Sequence, residues 1–124
     1  MENQEVERQA PTLRLNDKNE VIEETKDVPI IINGTQAFVS IKKLSTGARN
    51  KIKAECTQTK IVGGQPQVIV NDQEIQEKIL NACIIKAPFD VTVNGIKKLP
   101  AEVSDYLFDE YQEFAEPSIK KKEE

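Results

Sequence analysis

The clearest pattern of apolar positions lies in the first third of the chain, where two β-rich runs flank a turn dipeptide. PIII ends at Ile32, Asn33-Gly34 follows, and TQAFVSIKKL comes next. An Asn-Gly pair between such runs is the strongest short-range signal for a β-hairpin. In the second run Val39 and Ile41 fall on one face, while the other face ends in a lysine. The pattern therefore predicts a half-exposed hairpin.

A thin apolar stripe follows this hairpin. Ser45 can cap the N-terminus of a helix, and apolar residues then recur at every fourth position through Ile52 to Cys56. This spacing predicts a basic helix on the surface. Beyond it, TKIVGGQPQVIV contains two short β-prone runs separated by Gly63-Gly64, which predicts a loop or a weak hairpin.

A second helix is predicted from the spacing of a capping box. Asn71 and Glu74 are three residues apart, as a side-chain N-cap and its reciprocal glutamate require. The apolar run behind them predicts a helix over roughly residues 72–86, and Pro88 prevents the helix from continuing much further.

The C-terminal half of this predicted helix is apolar on almost every side. Ile75 and Ile79 define one stripe, whereas Leu80, Ile84 and Ile85 fall outside it. A helix that is apolar all round needs to be buried. We therefore expect either the central helix of the core or a helix that completes its burial against a partner protein.

The last third of the chain predicts a turn and a final helix. Asn94-Gly95 indicates a small hairpin or an extended turn, and Pro100 suits the first turn of a helix. An apolar stripe on that helix comprises Val103, Tyr106, Leu107, Tyr111 and Phe114. Phe108 points about 100° away from Leu107 on helix geometry. It is therefore either a lateral core contact or an exposed anchor for another protein.

Together these elements predict an α+β fold, a small single domain with β-hairpins and about three helices. The body of the domain spans residues 29–117. Residues 1–28 are polar and acidic and predict a flexible arm, within which Thr12–Leu15 and Glu20–Glu23 can pair only transiently. Residues 118–124 form a charged tail.

Charge is distributed unevenly along the chain. The net charge is −4, and residues 1–28 carry eight acidic and four basic side chains, so the remaining residues, 29–124, have no net charge. Lys42–Lys60 contains six basic residues and one acidic residue, whereas Glu102–Glu116 contains six acidic residues and no basic one. Docking of these segments within the fold is the simpler explanation, and their presentation to neighbouring proteins is the other.

The chain offers few residues for catalysis. It has no histidine, the commonest general base and metal ligand. Cys56 and Cys83 have no CxxC partner and are predicted to be small buried core residues. Asp105 and Asp109 share one side of a predicted helix, which a solvated acidic face explains better than acid–base catalysis. We expect no enzymatic activity, no cofactor and no metal.

Composition also restricts the partners and the compartment. The acidic balance disfavours nucleic-acid binding, which depends on cationic neutralisation of phosphates. No apolar run approaches the roughly 20 residues that span a bilayer. The first residues, MENQEVERQ, have neither the basic end nor the apolar stretch of a secretory signal. We expect a cytoplasmic protein that is not secreted and does not bind a membrane.

The order of the predicted elements resembles a known family. A strand reading V-x-I-x-x-L-S ends at Ser45 and leads into a helix, an apolar helix runs out at Pro88, and a last helix opens with Pro100 and Glu102. Over about residues 38–116 this arrangement resembles the tail assembly chaperones of tailed bacteriophages and related viruses. These are small proteins encoded just upstream of the tape measure protein.

The resemblance implies a non-catalytic protein of the host cytoplasm that binds the tape measure protein and recruits tail tube subunits. An apolar central helix and an aromatic last helix would supply the contacts. The candidate partner-binding residues are Leu80, Ile84, Ile85, Tyr106, Phe108 and Tyr111. The same surfaces are equally suited to a homo-oligomer of the chaperone.

Two other functions stay open at the level of sequence. One is a virion structural protein, such as a tail tube, tail completion or head-tail connector subunit. The other is a small regulatory module that binds a host protein through the acidic last helix. The resemblance adds one further expectation, because many tail assembly chaperones are made in two lengths by programmed ribosomal frameshifting. The adenine-rich codons of Lys120–Lys122 are the candidate slippery run.

Overall fold

The structure of the protein is a computed structural model that describes residues 12–116. Within these residues it contains five strands and four helices. In chain order they are β1 (Thr25–Ile32), β2 (Thr35–Lys42), α1 (Thr46–Glu55), β3 (Thr57–Val62), β4 (Gln65–Val70), α2 (Asp72–Cys83), β5 (Ile84–Lys86), α3 (Val93–Lys97) and α4 (Ala101–Ala115). The strands form a three-stranded antiparallel sheet in the order β1-β2-β5 and a two-stranded antiparallel sheet of β3 and β4. The predicted α+β class is confirmed.

The first hairpin forms as its sequence predicts. Asn33 and Gly34 connect β1 to β2, and both have positive φ angles, 52° and 80°. Two positive φ angles are the type I′ geometry, whose twist matches that of the flanking strands. Val28 lies opposite Val39, and both side chains are fully buried. The hairpin therefore presents one apolar face to the core.

The segment predicted as an arm contributes to this sheet. β1 begins at Thr25, inside the predicted arm, because β2 extends to Lys42 and supplies antiparallel partners as far as that residue. Upstream, Leu15 and Val21 form an isolated bridge, which is the pairing expected within this segment. Glu24 is tied to the sheet by an ion pair of 3.1 Å with Lys43. Residues 1–11 of the predicted arm, Pro117 and the predicted tail lie outside the described residues.

Side-chain N-caps form at the starts of α1 and α2, the two helices for which the sequence predicts such caps. The Ser45 hydroxyl accepts a hydrogen bond of 3.1 Å from the Ala48 N–H at the start of α1. The Asn71 side chain accepts one of 3.0 Å from the Glu74 N–H at the start of α2. Each cap satisfies a backbone donor that the first turn of a helix leaves unpaired. Both predicted helix starts are confirmed.

The second helix is shorter than predicted. It ends at Cys83, and Ile84–Lys86 form β5, which pairs with β2. The prediction that the helix continues to Lys86 is therefore wrong. Two adjacent β-branched isoleucines favour a strand, and the free edge of β2 offers them backbone hydrogen bonds. Pro88 also limits the length of helix that could follow them.

The segment around Asn94-Gly95 is helical, so the predicted hairpin or extended turn is wrong. Thr92 caps α3, because its hydroxyl accepts a hydrogen bond of 3.1 Å from the Gly95 N–H. The Asp90 carboxylate in turn accepts one of 2.9 Å from the Thr92 N–H. These side-chain bonds favour a helix start over the turn that the dipeptide alone indicates. They also place Ile96 in the core.

The core lies between the three-stranded sheet and the helices, which cover one face of that sheet. The sheet contributes Val28, Val39, Ile41 and Ile84, and the helices contribute Ile52, Cys56, Ile79, Leu80, Cys83, Ile96, Leu107 and Tyr111. The predicted burial of both cysteines is confirmed. Among residues 12–116, no helix combines the length and the apolar character that crossing a bilayer requires.

Gly95 has no space for a side chain. A Cβ atom at this position would meet the backbone oxygen and the side chain of Asp90, whereas a Cβ atom at Gly47 in α1 would meet nothing within 4 Å. We expect Gly95→Ala to lower the free energy of unfolding by about 1–3 kcal/mol through steric overlap. The matched control Gly47→Ala should raise the free energy of unfolding by up to about 1 kcal/mol. Urea unfolding followed by circular dichroism measures both, and equal stabilities of the two variants would contradict the close approach at Gly95.

Candidate protein-binding groove

Three helices leave a groove at the surface of the domain. It lies among α1, α2 and α4 and has a volume of about 330 Å³. The floor is apolar and comprises Ile75, Ile79, Phe108 and Tyr111. The rim is polar or charged and comprises Lys53, Asp72, Gln76, Gln112 and Glu116.

Helical spacing places the floor residues next to one another. Ile75 and Ile79 are one turn apart on α2, and Phe108 and Tyr111 are one turn apart on α4. The two aromatic rings are stacked, with centroids 6.4 Å apart and planes inclined by 22°. The Tyr111 side chain is buried, while Phe108 is half-buried. The floor therefore combines a fixed buried ring with one that keeps part of its surface free.

The floor of the groove carries no charge at neutral pH. Burial, with a smaller contribution from the nearby carboxylate of Glu116, raises the pKa of Tyr111 to about 12, although a hydrogen bond with the backbone of Leu44 opposes the shift. The phenol is therefore protonated over the physiological range. An apolar side chain of a partner would meet a neutral surface there.

The basic and acidic segments of the sequence meet at one end of the groove. Arg49 of α1 forms an ion pair of 3.5 Å with Glu116, at the end of α4. Close by, the Lys43 ammonium lies 5.1 Å from the centre of the Phe114 ring, a distance suited to a cation–π interaction. Opposite charges therefore meet within the fold, as the simpler explanation of the charge pattern expects.

Half of the predicted partner-binding residues lie in the core. Leu80, Ile84 and Tyr111 are buried, and only Tyr111 also lines the groove. Leu80 is 0% and Ile84 is 6% exposed, too little surface to contact a partner of the folded domain, which corrects their assignment. Leu80 packs between the sheet and the helices, as expected of a central core helix, and Ile84 is the buried residue of β5.

The other three predicted residues occupy separate places. Ile85 is 51% exposed and lies in β5, on the face of the sheet opposite to buried Ile84. Tyr106 is 37% exposed, but its hydroxyl donates a hydrogen bond of 2.7 Å to the carbonyl of Pro29, which ties α4 to β1. Phe108 is the predicted residue that both lines the groove and keeps an accessible surface.

Sequence reasoning does not identify the remaining groove residues. Ile75 and Ile79 are recognisable as an apolar stripe, but a stripe does not show which of its members a neighbouring helix leaves uncovered. Lys53, Gln76 and Gln112 come from three different helices, and no motif connects them. Their proximity follows from helix packing alone.

The two cysteines and Asp105 are held in structural roles. Burial raises the pKa of both cysteine thiols, that of Cys83 to about 12. Both thiols are therefore protonated at neutral pH, where a nucleophile would need the thiolate. The Asp105 carboxylate accepts a hydrogen bond of 2.9 Å from the Gln76 amide, which links α4 to α2. Within residues 12–116, no three His, Cys, Asp or Glu side chains are placed to hold a metal ion.

Three comparisons, with protein-family profiles, with curated proteins and with solved structures, found no match to this chain. The groove and the exposed surfaces are thus the structural features from which a function can be inferred. The order of elements along the sequence is the other feature from which a function can be inferred.

Buried groups with raised pKa values make the fold sensitive to alkaline pH. Burial raises the pKa of Tyr111 from 10.0 to about 12 and that of Cys83 from 9.0 to about 12. Above pH 9 the unfolded chain therefore releases protons that the folded chain retains, so the free energy of unfolding falls as pH rises. We expect this stability to be fully present below pH 9 and to be lost progressively up to about pH 12. Urea unfolding at stepped pH values measures the slope.

Tyr111→Phe isolates the contribution of the phenol. This variant keeps the ring but removes the ionisable hydroxyl, so the fall in stability between pH 10 and 12 should become shallower than in the native chain. The part of the slope that begins near pH 9 should stay, because it comes from the thiols of Cys83 and Cys56, whose pKa values are also raised. An unchanged slope above pH 10 would show that the phenol is not buried in the folded state.

Proposed function

We propose that this protein is a non-catalytic tail assembly chaperone that binds the tape measure protein and recruits tail tube subunits. The observation that carries the proposal is the groove among α1, α2 and α4, with its apolar floor and charged rim. Amphipathic helices bind in grooves of this kind through their apolar face. The order of sequence elements over about residues 38–116 supports the same function.

The physical requirement for such a chaperone is clear. A tape measure protein is a long helical polypeptide, and an apolar seam along it stays exposed to water until the tail tube encloses it. A small domain with a helix-binding groove would cover one stretch of that seam. Several copies along the polypeptide would cover all of it.

Phe108 is the residue best placed to make this contact. Its ring lies in the groove with part of its surface free, and the buried ring of Tyr111 stacks against it. Aromatic residues in such positions commonly carry a large share of binding energy. Lys53 and Asp72 on the rim have opposite charges, which would help to orient a bound helix.

A virion structural protein is the second candidate function. The β3-β4 hairpin favours it, because its apolar side chains are exposed and hairpins of this kind can extend the sheet of a neighbouring subunit. A structural subunit should be present in purified virus particles, whereas an assembly chaperone should be absent from them. Mass spectrometry of purified particles separates the two functions.

Substitutions at neighbouring positions of α4 separate binding from folding. Leu107 is fully buried, so we expect Leu107→Ala to lower the free energy of unfolding by about 2–5 kcal/mol while the folded fraction still binds. Phe108→Ala should cost less stability but weaken binding of a helical peptide from the tape measure protein by about tenfold or more. Urea unfolding and titration calorimetry measure the two quantities. Equal losses of stability with unchanged affinity would make Phe108 a core residue and remove it from the binding site.

The gene neighbourhood provides an independent test. We expect the next genes to encode a long helical protein, and tail genes to surround both. We also expect a slippery heptamer within the codons of Lys120–Lys122, followed by an overlapping reading frame. These residues lie outside the described part of the chain, so only nucleotide sequence tests this point. A neighbourhood without tail genes would contradict the proposal and favour the regulatory protein-binding module.

A further inference from the structure

The β3-β4 hairpin extends from the domain with little packing. Every residue of β4 is exposed, as is every residue of β3 except Thr57 at its base. An isolated two-stranded ribbon is marginally stable at best in water, and three or more strands with an apolar face are needed for a stable sheet. A further strand would therefore stabilise this hairpin.

The two faces of the hairpin are different. Residues that lie opposite one another in an antiparallel pair share a face. Ile61, Val68 and Val70 accordingly lie on one face with two threonines and a proline, and Ile61 and Val68 are 70% and 67% exposed. Lys60 lies on the other face, together with three glutamines, Val62 and Ile69. One face is therefore free of charge.

The two edges of the hairpin are also different. Gly63-Gly64 forms a two-residue turn, so the two residues on either side of it form a hydrogen-bonded pair. Non-hydrogen-bonded and hydrogen-bonded pairs then alternate along the rest of the hairpin. Thr59 and Ile61 then direct their backbone N–H and C=O groups outward from β3. The corresponding outward positions of β4 include Pro66, which has no N–H to donate. β3 is thus the edge that can accept another strand along its full length.

The β3 edge is complementary to itself. If a second copy pairs antiparallel about Thr59, the two Thr59 residues face each other, Thr57 faces Ile61, and Gln58 faces Lys60. Threonine pairs across strands are favourable, and no like charges lie directly opposite each other, because Lys60, the only charged residue in the hairpin, faces Gln58. A single charge also gives the hairpin no means of selecting a strongly charged partner. The self-complementary register of β3 points instead to the β3 strand of a second copy of this chain.

We propose that the outer edge of β3 is a homodimerisation surface, on which two copies of this chain pair antiparallel about Thr59 to form a four-stranded sheet. The two-fold axis places the apolar faces of both hairpins on the same side, so they become continuous. The dimer thereby acquires the number of strands that a stable sheet requires. This surface is separate from the groove residues on α2 and α4.

Matched proline substitutions on the two edges test the proposal. Thr59→Pro removes an outward N–H from the proposed contact in both copies and leaves the bonds within the hairpin in place. Val68→Pro, directly opposite on β4, imposes the same constraint on the other edge. In sedimentation equilibrium over a concentration series, we expect the native chain and Val68→Pro to dimerise alike. Thr59→Pro should raise the dimer dissociation constant by about tenfold or more.

Each alternative outcome overturns the proposal. A native chain that stays monomeric throughout the series would leave the β3 edge to a different protein. A dimer weakened equally by both prolines, or by neither, would place the contact elsewhere. Thr59→Pro should not alter binding of a short helical peptide that occupies a single groove, so failure here is distinguishable from failure of the proposed function.

Cysteine cross-linking tests the register without disturbing the strand. Directly opposite residues in a hydrogen-bonded pair have Cα atoms about 5.5 Å apart, within reach of a disulfide. Under mild oxidation Thr59→Cys should therefore give a covalent dimer on non-reducing electrophoresis. Gln58→Cys is the control, since its two copies would be diagonal neighbours about 7–8 Å apart. The native Cys56 and Cys83 are buried and do not compete. No cross-link at Thr59→Cys, or equal cross-linking of both variants, contradicts the proposed register.

Discussion

Burial of one face of β2 is the interaction on which the rest of the domain depends. β2 is the central strand of its sheet, and Val39 and Ile41 on its inner face are fully buried. Pairing with β1 on one side and β5 on the other satisfies its backbone groups. Because β5 follows α2 without a linking residue, pairing at β2 also fixes the C-terminal end of α2. Loss of this apolar face would release the sheet and a helix together.

The position of α4 follows from the same sheet and completes the groove. Leu107 is buried in the core, the Tyr106 hydroxyl bonds to Pro29, and Glu110 pairs with Lys26 at 3.1 Å. These contacts hold α4 to β1 along successive turns. α2 is fixed through β5, and the hydrogen bond from Gln76 on the groove rim to Asp105 joins it directly to α4. The apolar floor between them is consequently supported from below by the core, which suits a preformed binding site.

Local signals in the sequence predict the structure where a few neighbouring residues decide it. Asn33-Gly34 forms its hairpin and Ser45 caps its helix, since both depend only on nearby backbone groups. The prediction fails at Asn94-Gly95, where a cap from Thr92 outweighs the turn tendency of the dipeptide. It fails again at Ile84, because pairing with β2 is a tertiary interaction. The groove depends on the packing of three helices, so its apolar residues are recognisable from sequence but their arrangement is not.

The base of the β3-β4 hairpin is fixed to the rim of the groove, which links the two proposed surfaces mechanically. The Thr57 hydroxyl donates a hydrogen bond of 2.7 Å to the carbonyl of Lys53, a rim residue. The Asn71 N–H donates one of 2.9 Å to the carbonyl of Cys56, which ties the other strand of the hairpin to the same corner. A dimer formed through β3 would therefore hold two grooves at a defined separation. A long helix with a repeating apolar seam could then bind both grooves, and the second contact would be intramolecular and correspondingly strengthened. Weak binding by each single groove would on this basis suffice to cover a long helical partner.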